Sequence, residues 1–487
     1  MASMESWKNY VSGVWQNSTK NETFEERNPA DLNEVVGFFT SSNKEDVEMA
    51  IDSANSAFLS WSTLSALERA NYLKGVLDLL KKERDSFSKV ITLENGKTLK
   101  ESLVEIDSAI NEMEFQIHQG QRLYGTTIQT NKKLTMAMTI KVPLGVVAII
   151  TPWNFPLNVA CRKMIPALMA GNTVILKPAS LTSLTAVKFI ELFDKVQIPR
   201  GVVNLILGSG SLIGEILTGS FKVNGISFTG STEVGLSIQK NAARNLIPTQ
   251  LELGGKNPVI VLKDADLEEA SNAIMLGAFA CSGQWCTSTS RVIVENEVAS
   301  ELVEILKLKV LKLKIGNGAN KETEMGPVCG TKQLEIIKSY IDIGIQEGAS
   351  LCCGGNQLID ADYKKGCFVA PTLFTNVTEK MKIASEEIFG PVLCVLSVDN
   401  FGEALTIANN VKYGLASSIF TNDFSKAMRF IQETKVGLTH VNMPSAYKEP
   451  MLPFGGVKMS GAGLPEAGTV GIDFFTKHKA VYIQYGH

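Results

Sequence analysis

Residues 142–156, VPLGVVAIITPWNFP, contain the stretch that decides the fold. Residues 142–150 are apolar and rich in β-branched side chains, and Pro152 ends the run. This composition predicts a strand buried on both faces, as in a parallel sheet. A helical pattern follows over residues 157–169, and residues 173–176 predict the next buried strand. Because a strand, a helix and a second strand follow in succession, the chain is predicted to be an α/β protein with a parallel sheet.

The same alternation extends in both directions from this unit. Residues 44–119 are expected to be helical, because apolar side chains recur there with a 3.6-residue period. The first block is expected to continue with a helix at 184–196, a strand at 202–206, a helix at 211–218 and a strand at 225–228. A second α/β block is expected from residue 258, with strands at 258–262, 291–295, 368–373 and 392–398.

The overall composition is that of a globular protein with more than one domain. The chain has 487 residues, of which 45% are hydrophobic and 20% charged, and its formal net charge is −3. No basic stripe is present, so nucleic-acid binding is not expected. Proline and glycine interrupt the longest apolar run, so no membrane span is expected. Residues 1–8 lack the charged and apolar regions of a secretion signal.

The cysteine and histidine content narrows the possible chemistry. The eight cysteines show no metal-ligand spacing, which indicates a reduced, cytoplasmic protein without a metal site. There are only four histidines, and none lies close in sequence to Cys286 or Glu252. A cysteine hydrolase that uses an imidazole base is therefore disfavoured.

Cys286 is the leading candidate for a catalytic residue. It lies in SGQWCT at residues 282–287, a small and polar stretch that suits a hydrophobic core poorly. Upstream, Glu252 lies in LELGGK at residues 251–256. A thiol and a carboxylate in two glycine-bearing turns indicate a nucleophile with a separate general base. The alternative is that Cys286 is a buried structural thiol, as most free cysteines are.

Two polar residues follow buried strands at the edge where open α/β sheets bind ligands. Asn154 lies in TPWNFP and could donate an N–H to a developing oxyanion. Lys177 follows the strand at 173–176 and is expected to point at the same crevice. The alternative for Asn154 is an amide that stabilises its own turn, and the alternative for Lys177 is a lysine on the surface.

Two glycine-bearing turns are candidates for phosphate binding. Residues 208–214, GSGSLIG, follow a strand and open a helix, although the spacing is one residue longer than the standard dinucleotide fingerprint. Residues 228–233, FTGSTE, form a second such turn, in which Ser231 would cap the helix. Turn glycines and a plain helix cap explain the same patterns without a ligand.

Taken together, the motifs resemble those of the NAD(P)-dependent aldehyde dehydrogenases over nearly the whole chain. Seven motifs stand in the order seen in that family: PWNFP at 152–156, KP at 177–178, FTGS at 228–231, LELGGK at 251–256, GQWC at 283–286, EEIFGP at 386–391 and PFGG at 453–456. The resemblance is most specific to the 2-oxoglutarate semialdehyde (2,5-dioxopentanoate) and succinic semialdehyde dehydrogenases.

The resemblance implies a role for each motif residue. Cys286 would attack the aldehyde, Asn154 would stabilise the oxyanion, and Glu252 would activate water to release the acid. Lys177 would serve both catalysis and the cofactor, and Gln333 is a further candidate for ribose contact. The remaining residues implied to contact the dinucleotide are Ile150, Thr151, Pro152, Trp153, Ser180, Gly210, Gly214, Phe228, Gly230, Ser231, Leu253, Glu387 and Phe389.

Ser180 departs from the pattern of NAD-preferring relatives. Many of those have a glutamate at this place, whose carboxylate binds the adenine ribose and would repel a 2′-phosphate. Ser180 removes that repulsion, and Lys177 offers a positive partner. We therefore expect NADP to be accepted and preferred, with NAD as the alternative cofactor.

The substrate pocket is expected to include Trp285, Thr287 and Phe454. In relatives acting on succinic semialdehyde, an arginine at the place of Arg162 faces the substrate carboxylate. The planar guanidinium suits a carboxylate at two points. The expected substrate is therefore a small ω-carboxylated aldehyde, most like 2-oxoglutarate semialdehyde. The alternative substrates are succinic semialdehyde and a broad range of aliphatic aldehydes. The alternative role for Arg162 is that it pairs with an acid on the protein surface.

A non-catalytic relative, such as a lens crystallin of this fold, is the alternative from another class. Such relatives tend to lose catalytic residues, whereas Cys286, Glu252 and Asn154 are all present here.

The resemblance also implies three structural parts and an oligomer. A Rossmann-like cofactor domain is expected at 1–121 and 143–253, an α/β catalytic domain at 254–470, and a small β bridging element at 122–142 and 471–487. The alternation at 134–140 and the apolar tail at 479–484 predict strands with exposed edges. Such edges favour pairing with another subunit, so a homodimer or homotetramer is expected.

Overall fold

A computed structural model of the protein describes residues 6–485. Its helices are α1 Lys44–Ser62, α2 Ala66–Lys82, α3 Arg84–Asn95, α4 Leu99–Gly120, α5 Pro156–Met169, α6 Ser183–Lys195, α7 Gly210–Gly219, α8 Thr232–Ala243, α9 Leu267–Phe279, α10 Asn296–Lys312, α11 Thr331–Gln346, α12 Lys382–Ser385, α13 Phe401–Asn409 and α14 Phe424–Glu433.

Strands lie between and around these helices. They are β1 Asn9–Val11, β2 Val14–Gln16, β3 Thr23–Asn28, β4 Asp31–Thr40, β5 Thr127–Ile128, β6 Thr135–Pro143, β7 Val146–Ile150, β8 Thr173–Lys177, β9 Val203–Leu205, β10 Gly225–Thr229, β11 Thr249–Glu252, β12 Asn257–Val261, β13 Thr289–Glu295, β14 Ser350–Cys353, β15 Thr372–Thr375, β16 Val392–Val398, β17 Ala416–Phe420, β18 Leu438–Val441, β19 Gly461–Ala462 and β20 Thr476–Gln484.

The first sheet is built around the stretch that predicted it. Its strand order is β19-β11-β10-β7-β8-β9-β1-β2, and the five central strands β11 to β9 run parallel. Helices α5 and α6 cover one face with a core that contains Leu157, Met164 and Phe189, whereas α1 and α7 cover the other. The carboxyl ends of β11, β10, β7 and β8 therefore meet at one edge.

A second sheet carries the other half of the molecule. Its order is β14-β15-β16-β13-β12-β17-β18, and all its pairings are parallel except β14 with β15. A third sheet, β20-β6-β5, joins the tail of the chain to residues 127–143, as the alternation at 134–140 predicted. The α/β prediction and the helices over residues 44–119 are thus confirmed.

Two predicted strands are wrong in their bounds. Residues 142–150 are not one strand: Val142 and Pro143 end β6 in the third sheet, and β7 starts only at Val146. Gly145, with φ +133°, turns the chain there, and a Cβ would lie 2.1 Å from the Asn224 Oδ1 atom. The strand expected at 368–373 begins only at Thr372, because the residues before it run as loop with a single bridge at Val369.

The predicted domain limits stay a prediction, and one short strand pairs across them. The short strand β19 lies within 254–470, yet it pairs with β11 in the first sheet. Residues 1–5 and 486–487 lie outside the described residues. They are the outer ends of the ranges predicted at 1–121 and 471–487, and residues 1–5 also belong to the segment 1–8 that lacks the features of a secretion signal. Among residues 6–485, no helix is both long and apolar enough to cross a bilayer.

Candidate active site

Cys286 follows a strained turn between the two large sheets. Cys281, Ser282 and Gly283 have successive φ values of +49°, +55° and +68°. Glycine is required at 283, because a Cβ there would lie 2.2 Å from the Gly390 carbonyl oxygen. The Glu101 carboxylate accepts a hydrogen bond of 2.6 Å from the Cys281 N–H, which fixes the turn from helix α4.

The chain after the nucleophile is held by Asn257, a residue that the sequence reasoning missed. Its Nδ2 atom donates to the Cys286 carbonyl at 2.8 Å and to the Ser288 carbonyl at 2.9 Å, while its Oδ1 atom accepts from the Ala416 N–H at 3.0 Å. Asn257 directly follows the LGGK motif on β12, so the strand that begins the second sheet also positions the backbone of Cys286.

The thiol of Cys286 is protonated in the resting protein at neutral pH. Burial is the main cause that raises its pKa to about 12, and the Arg162 guanidinium opposes the shift. The carboxylates of Glu387, Glu252 and Glu466 raise the pKa further. A nucleophilic thiolate therefore requires that a proton be taken from the sulfur during the reaction.

Asn154 points its amide toward the same segment. Its Nδ2 atom donates to the Gln284 carbonyl at 3.0 Å, two residues before the nucleophile. The turn that carries it is anchored by Lys97, whose Nζ atom donates to the Asn154 carbonyl at 2.6 Å and to Glu105 at 2.7 Å. Asn95 donates to the Trp153 carbonyl at 2.9 Å. These contacts from α3 and the start of α4 hold the Asn154 turn against the Cys286 turn.

Glu252 ends β11 and faces the glycines of the PFGG motif. The Gly456 N–H lies 3.3 Å from its Oε2 atom, and a Cβ at Gly455 would lie 2.9 Å from its Oε1 atom. Burial, followed by repulsion from Glu466, raises the pKa of Glu252 well above its ordinary value. The neutral form of this carboxyl group is therefore favoured, and the group acts as a base only after it has lost that proton.

Arg162 and Lys163 share the carboxylate of Glu466. The Arg162 Nε atom lies 2.7 Å from Oε2, and Lys163 donates to Oε1 of the same group. Thr229 at the end of β10 also donates to Glu466, at 3.2 Å. Glu466 is thus a second residue missed from the sequence. The contact between Arg162 Nε and Glu466 Oε2 is an ion pair without hydrogen-bond geometry. The Arg162 guanidinium lies over the Phe454 ring, 4.3 Å from its centroid.

A cavity of about 470 Å³ opens beside Cys286. Its wall includes Asn154, Arg162, Trp285, Cys286, Thr287 and Phe454, so the residues expected from the sequence to line the pocket meet there. Helix α4 contributes Glu105, Ser108 and Glu112, and the loop at 444–450 contributes Lys448, which sequence reasoning also missed. The Phe155 and Trp285 rings, 5.2 Å apart and nearly perpendicular, form part of the wall.

Lys177 and Ser180 lie at a different part of the sheet edge. Ile150 ends β7, and the Thr151 N–H donates to the Lys177 carbonyl at 3.1 Å, which places the segment at 150–153 beside Lys177. The Lys177 Nζ atom is buried and donates to the Pro178 carbonyl, and burial lowers its pKa to about 8. The half-buried Ser180 donates to the Gly208 carbonyl at 2.9 Å.

The nearby helix start fits a diphosphate. The Ser209 side chain leaves the first N–H groups of α7 uncapped, and a Cβ added at Gly210 or Gly214 would meet nothing within 4 Å. At the second turn, Ser231 accepts from the Val234 N–H at 3.3 Å as a helix cap. Gly230 stands against the Phe228 ring, which a Cβ would approach to 2.4 Å.

The remaining candidates surround Glu387 and Phe389. The Glu387 Oε1 atom accepts from the Gly255 N–H at 2.9 Å, and burial raises its pKa to about 7. Phe389 has φ +58° and its ring meets Trp153 edge-on, 5.4 Å between centroids. Gln333 donates to the Phe389 carbonyl at 2.9 Å and thereby braces this turn.

Leu253 closes this set of cofactor candidates. Its N–H donates to the Ser460 carbonyl at 2.8 Å, and its side chain packs against Gly235 of helix α8.

The structure therefore separates the predicted residues into two groups. One cavity contains the first group, which consists of Cys286, Asn154, Arg162, Trp285, Thr287 and Phe454. Glu252 lies close enough to this group to influence the pKa of the Cys286 thiol. Lys177, Ser180, Gly210, Gly214 and Ser231 lie along the edge of the first sheet. In the described part of the chain, no group of histidine, cysteine and acidic side chains is arranged to hold a metal ion.

Comparisons with known proteins identify the family of the chain. The model of the aldehyde dehydrogenase family matches residues 15–481. An alpha-ketoglutaric semialdehyde dehydrogenase of Bacillus subtilis (strain 168) is 42% identical over 476 residues, 98% of each chain. A 2,5-dioxopentanoate dehydrogenase of Saccharolobus solfataricus is 39% identical and covers 95% of this chain and 96% of its own length.

A solved structure shows the same fold. Betaine aldehyde dehydrogenase of Staphylococcus aureus in complex with NAD+ superposes with a TM-score of 0.96 at 37% identity, covering 99% of this chain and 96% of that one. The fold and its parallel sheets are thus those of an NAD(P)-dependent oxidoreductase. The chain belongs to the aldehyde dehydrogenase family.

Proposed function

We propose that the protein oxidises a small ω-carboxylated aldehyde, with 2-oxoglutarate semialdehyde as the best candidate, to the carboxylic acid. The observation that carries this proposal is the cavity in which Cys286 and Arg162 share one wall. Relatives named for alpha-ketoglutaric semialdehyde and 2,5-dioxopentanoate, at 42% and 39% identity, support it. Succinic semialdehyde carries the same terminal group and is the next candidate.

The charge of the cavity wall favours an anion. Arg162 and Lys163 share the single carboxylate of Glu466, and Lys448 adds another cation. Glu105 is neutralised by Lys97, and burial raises the pKa of Glu112, which favours its neutral form. Asp107 pairs with Arg84, and Glu449 adds one negative charge to the wall. With Glu112 neutral, the cations Arg162, Lys163 and Lys448 outnumber the carboxylates Glu466 and Glu449, and this balance attracts a substrate carboxylate.

Betaine aldehyde is a candidate from another class of aldehyde, because structural neighbours at 37% identity are named for it. That aldehyde carries a quaternary ammonium group, which prefers aromatic faces without a competing cation. The Phe454 face is already covered by the Arg162 guanidinium at 4.3 Å. Like charges at this position disfavour a cationic aldehyde.

The chemistry follows from the positions of the polar groups. The Cys286 thiol loses its proton to solvent, and the sulfur then attacks the carbonyl carbon. As the S–C bond forms, the C=O π bond breaks and its electron pair moves to the oxygen, which becomes an oxyanion. The Asn154 amide and the Cys286 backbone N–H stabilise this oxyanion. A bound nicotinamide dinucleotide would supply the acceptor for the hydride that leaves the same carbon. A thioester remains on Cys286, and Glu252 takes a proton from the water that hydrolyses it.

The dinucleotide would lie along the edge of the first sheet. The uncapped start of α7 and the open space at Gly210 and Gly214 suit its diphosphate. Lys177 and Glu387 would hold its riboses, and Phe389 with Trp153 would border the nicotinamide. NADP is the proposed preference, because Ser180 brings no carboxylate near the adenine ribose and the Lys177 ammonium lies three residues away in the sequence.

The assembly and location are proposed on separate grounds. The third sheet ends in exposed strands, since Tyr482 and Ile483 of β20 and Ile128 of β5 are largely accessible to solvent. Such edges and apolar side chains favour a homodimer or homotetramer. All eight cysteines are free thiols, which supports a reducing, cytoplasmic location.

One panel of assays tests the function. Purified protein is given 2-oxoglutarate semialdehyde, succinic semialdehyde, pentanal and betaine aldehyde, each with NAD and with NADP, and the appearance of reduced cofactor is recorded. Among these aldehydes, we expect the highest kcat/KM for one that carries an ω-carboxylate. A higher value for pentanal or betaine aldehyde would overturn it, and acid formation without any dinucleotide would indicate a hydrolase instead.

A further inference from the structure

The cavity contains a second cation that forms no ion pair with a carboxylate among residues 6–485. Lys448 lies in the loop at 444–450 and lines the wall together with Arg162 and Cys286. Its one hydrogen-bond acceptor among residues 6–485 is the neutral Asn158 side chain, with Nζ 2.8 Å from Oδ1. By contrast, the other lysines of this region, Lys97 and Lys163, each bind a carboxylate.

The surroundings of Lys448 are built rather than incidental. Asn158 donates from its amide to Ser108 at 3.2 Å and from its backbone N–H to Glu105 at 3.2 Å, so its Oδ1 atom is fixed toward Lys448. Asn158 and Arg162 lie four residues apart on α5 and therefore face the same side of the helix. Because Lys448 binds Asn158, the charges of Lys448 and Arg162 lie on the same side of the cavity.

The charge of Lys448 is costly to keep in this position. Burial, followed by the Arg162 charge, lowers the pKa of Lys448 to about 8, whereas Glu112, Cys286 and Glu466 act in the opposite direction. A half-buried ammonium without a bound carboxylate is destabilising, and such groups in a cleft are enriched at binding sites. A ligand carboxylate would supply the missing partner.

On the basis of the proposed function, we infer that Lys448 is the specificity-determining residue that binds the carboxylate of the aldehyde substrate. Arg162, which already faces Glu466, donates hydrogen bonds at the same end of the cavity, while Lys448 provides the net charge. The substrate class is therefore an aldehyde with a carboxylate at the far end of a short chain. Lys448 also works against cationic aldehydes, because it would repel them.

The test compares Lys448→Met with the wild type. The measured quantity is the ratio of kcat/KM for 2-oxoglutarate semialdehyde to that for pentanal. Loss of one charge-assisted contact lowers this ratio roughly tenfold to hundredfold. Lys448→Arg, which keeps the charge, retains the ratio within about threefold. Thermal unfolding of each variant shows that the effect is not a folding defect, and Lys435→Met, at an exposed lysine away from the cavity, is the matched control.

The outcomes separate the two claims. If the wild type prefers the carboxylated aldehyde and Lys448→Met keeps that preference, the role of Lys448 is wrong and the proposed function is unaffected. A wild type without the preference overturns both. A fall of the ratio in Lys448→Met but not in Lys448→Arg or Lys435→Met supports the inference.

Discussion

The Arg162 guanidinium and the Glu466 carboxylate lie 2.7 Å apart, from Nε to Oε2, although more than three hundred residues separate them in the chain. Both side chains are almost fully buried, and Arg162 also lines the cavity that contains Cys286. The sequence offered two alternatives for Arg162, a substrate carboxylate or an acid of the protein. In the structure, Arg162 pairs with an acid of the protein, and that acid is buried rather than on the surface. The other N–H groups of Arg162 can still bind a ligand.

Replacement of Arg162 by Met is expected to raise KM for ω-carboxylated aldehydes roughly tenfold to hundredfold, more than for pentanal. The variant loses hydrogen-bond donors and leaves Glu466 balanced by Lys163 alone, so this end of the cavity loses one positive charge. The double variant Arg162→Met/Glu466→Gln should recover part of the loss, as a double-mutant cycle measures.

The matched control is Arg429→Met. Arg429 is exposed and pairs with Glu433 at 2.6 Å, so its removal should change neither KM nor stability by much. Equal increases of KM for carboxylated and neutral aldehydes in Arg162→Met would contradict a role in carboxylate binding.

Replacement of Glu252 by Gln should separate the two halves of the reaction. Without the base, thioester hydrolysis slows by about 10²–10⁴-fold, while hydride transfer still proceeds once. Rapid mixing is expected to show a burst of about one reduced cofactor per subunit, and mass spectrometry to show an acyl group on Cys286. Steady turnover at the wild-type rate would exclude Glu252 as the base.

The protonation state of Cys286 predicts how the free protein reacts with iodoacetamide. Since burial raises the pKa of the thiol to about 12, the thiolate fraction below that pKa increases about tenfold per pH unit. The alkylation rate of this residue should follow that slope from about pH 7 to 10, as peptide mass spectrometry measures. A rate that levels off near neutral pH would show a thiolate already present.

The Cys286→Ser variant serves as the control in the same experiment. It should lose the modified peptide and should reduce the dinucleotide at less than about a thousandth of the wild-type rate, because a hydroxyl is a far weaker nucleophile. Wild-type reduction by this variant would remove the covalent mechanism altogether.

Ser180 is expected to set the choice of dinucleotide. Ser180→Glu places a carboxylate beside the turn at Gly208 and should lower kcat/KM with NADP roughly tenfold to hundredfold, with a much smaller change for NAD. Initial rates with each cofactor measure this. An NAD-over-NADP efficiency ratio above about ten in the wild type would contradict the assignment of Ser180.

The sequence predicted most of what the local pattern determines. The central strands, helix α5 and the meeting of Cys286, Asn154, Trp285 and Phe454 were all expected and lie as predicted. The bend at Gly145 was missed, because apolar β-branched residues continue on both sides of it and hide the change of sheet. The wrong bounds of this strand thus come from a turn whose need for glycine is visible only in the fold, where Asn224 leaves no room for a Cβ.

Residues that act through long-range contacts could not be found in the same way. Glu466 and Lys448 lie in segments without a strong motif, and their partners Lys163 and Asn158 are roughly three hundred residues away in the chain. Asn257 was within reach, since it directly follows the LGGK motif, but its role depends on the fold of the Cys286 turn.

The final prediction concerns pH. The pKa of Lys448 lies near 8, below the ordinary 10.5, so its cationic form is complete at lower pH and is lost as pH rises through about 8. Its charged and titratable neighbours are Arg162, Glu112, Cys286 and Glu466. Glutarate, a dianion throughout this range, should bind roughly tenfold more weakly at about pH 9.5 than at pH 7, as titration calorimetry measures.

The Lys448→Arg variant identifies the titrating group in that experiment. An arginine stays charged over the whole range, so glutarate affinity should then be nearly independent of pH. If the wild type shows a flat profile, Lys448 does not bind the carboxylate. If Lys448→Arg keeps the wild-type slope, another group, such as Glu112 or Glu252 losing its proton, causes the change instead.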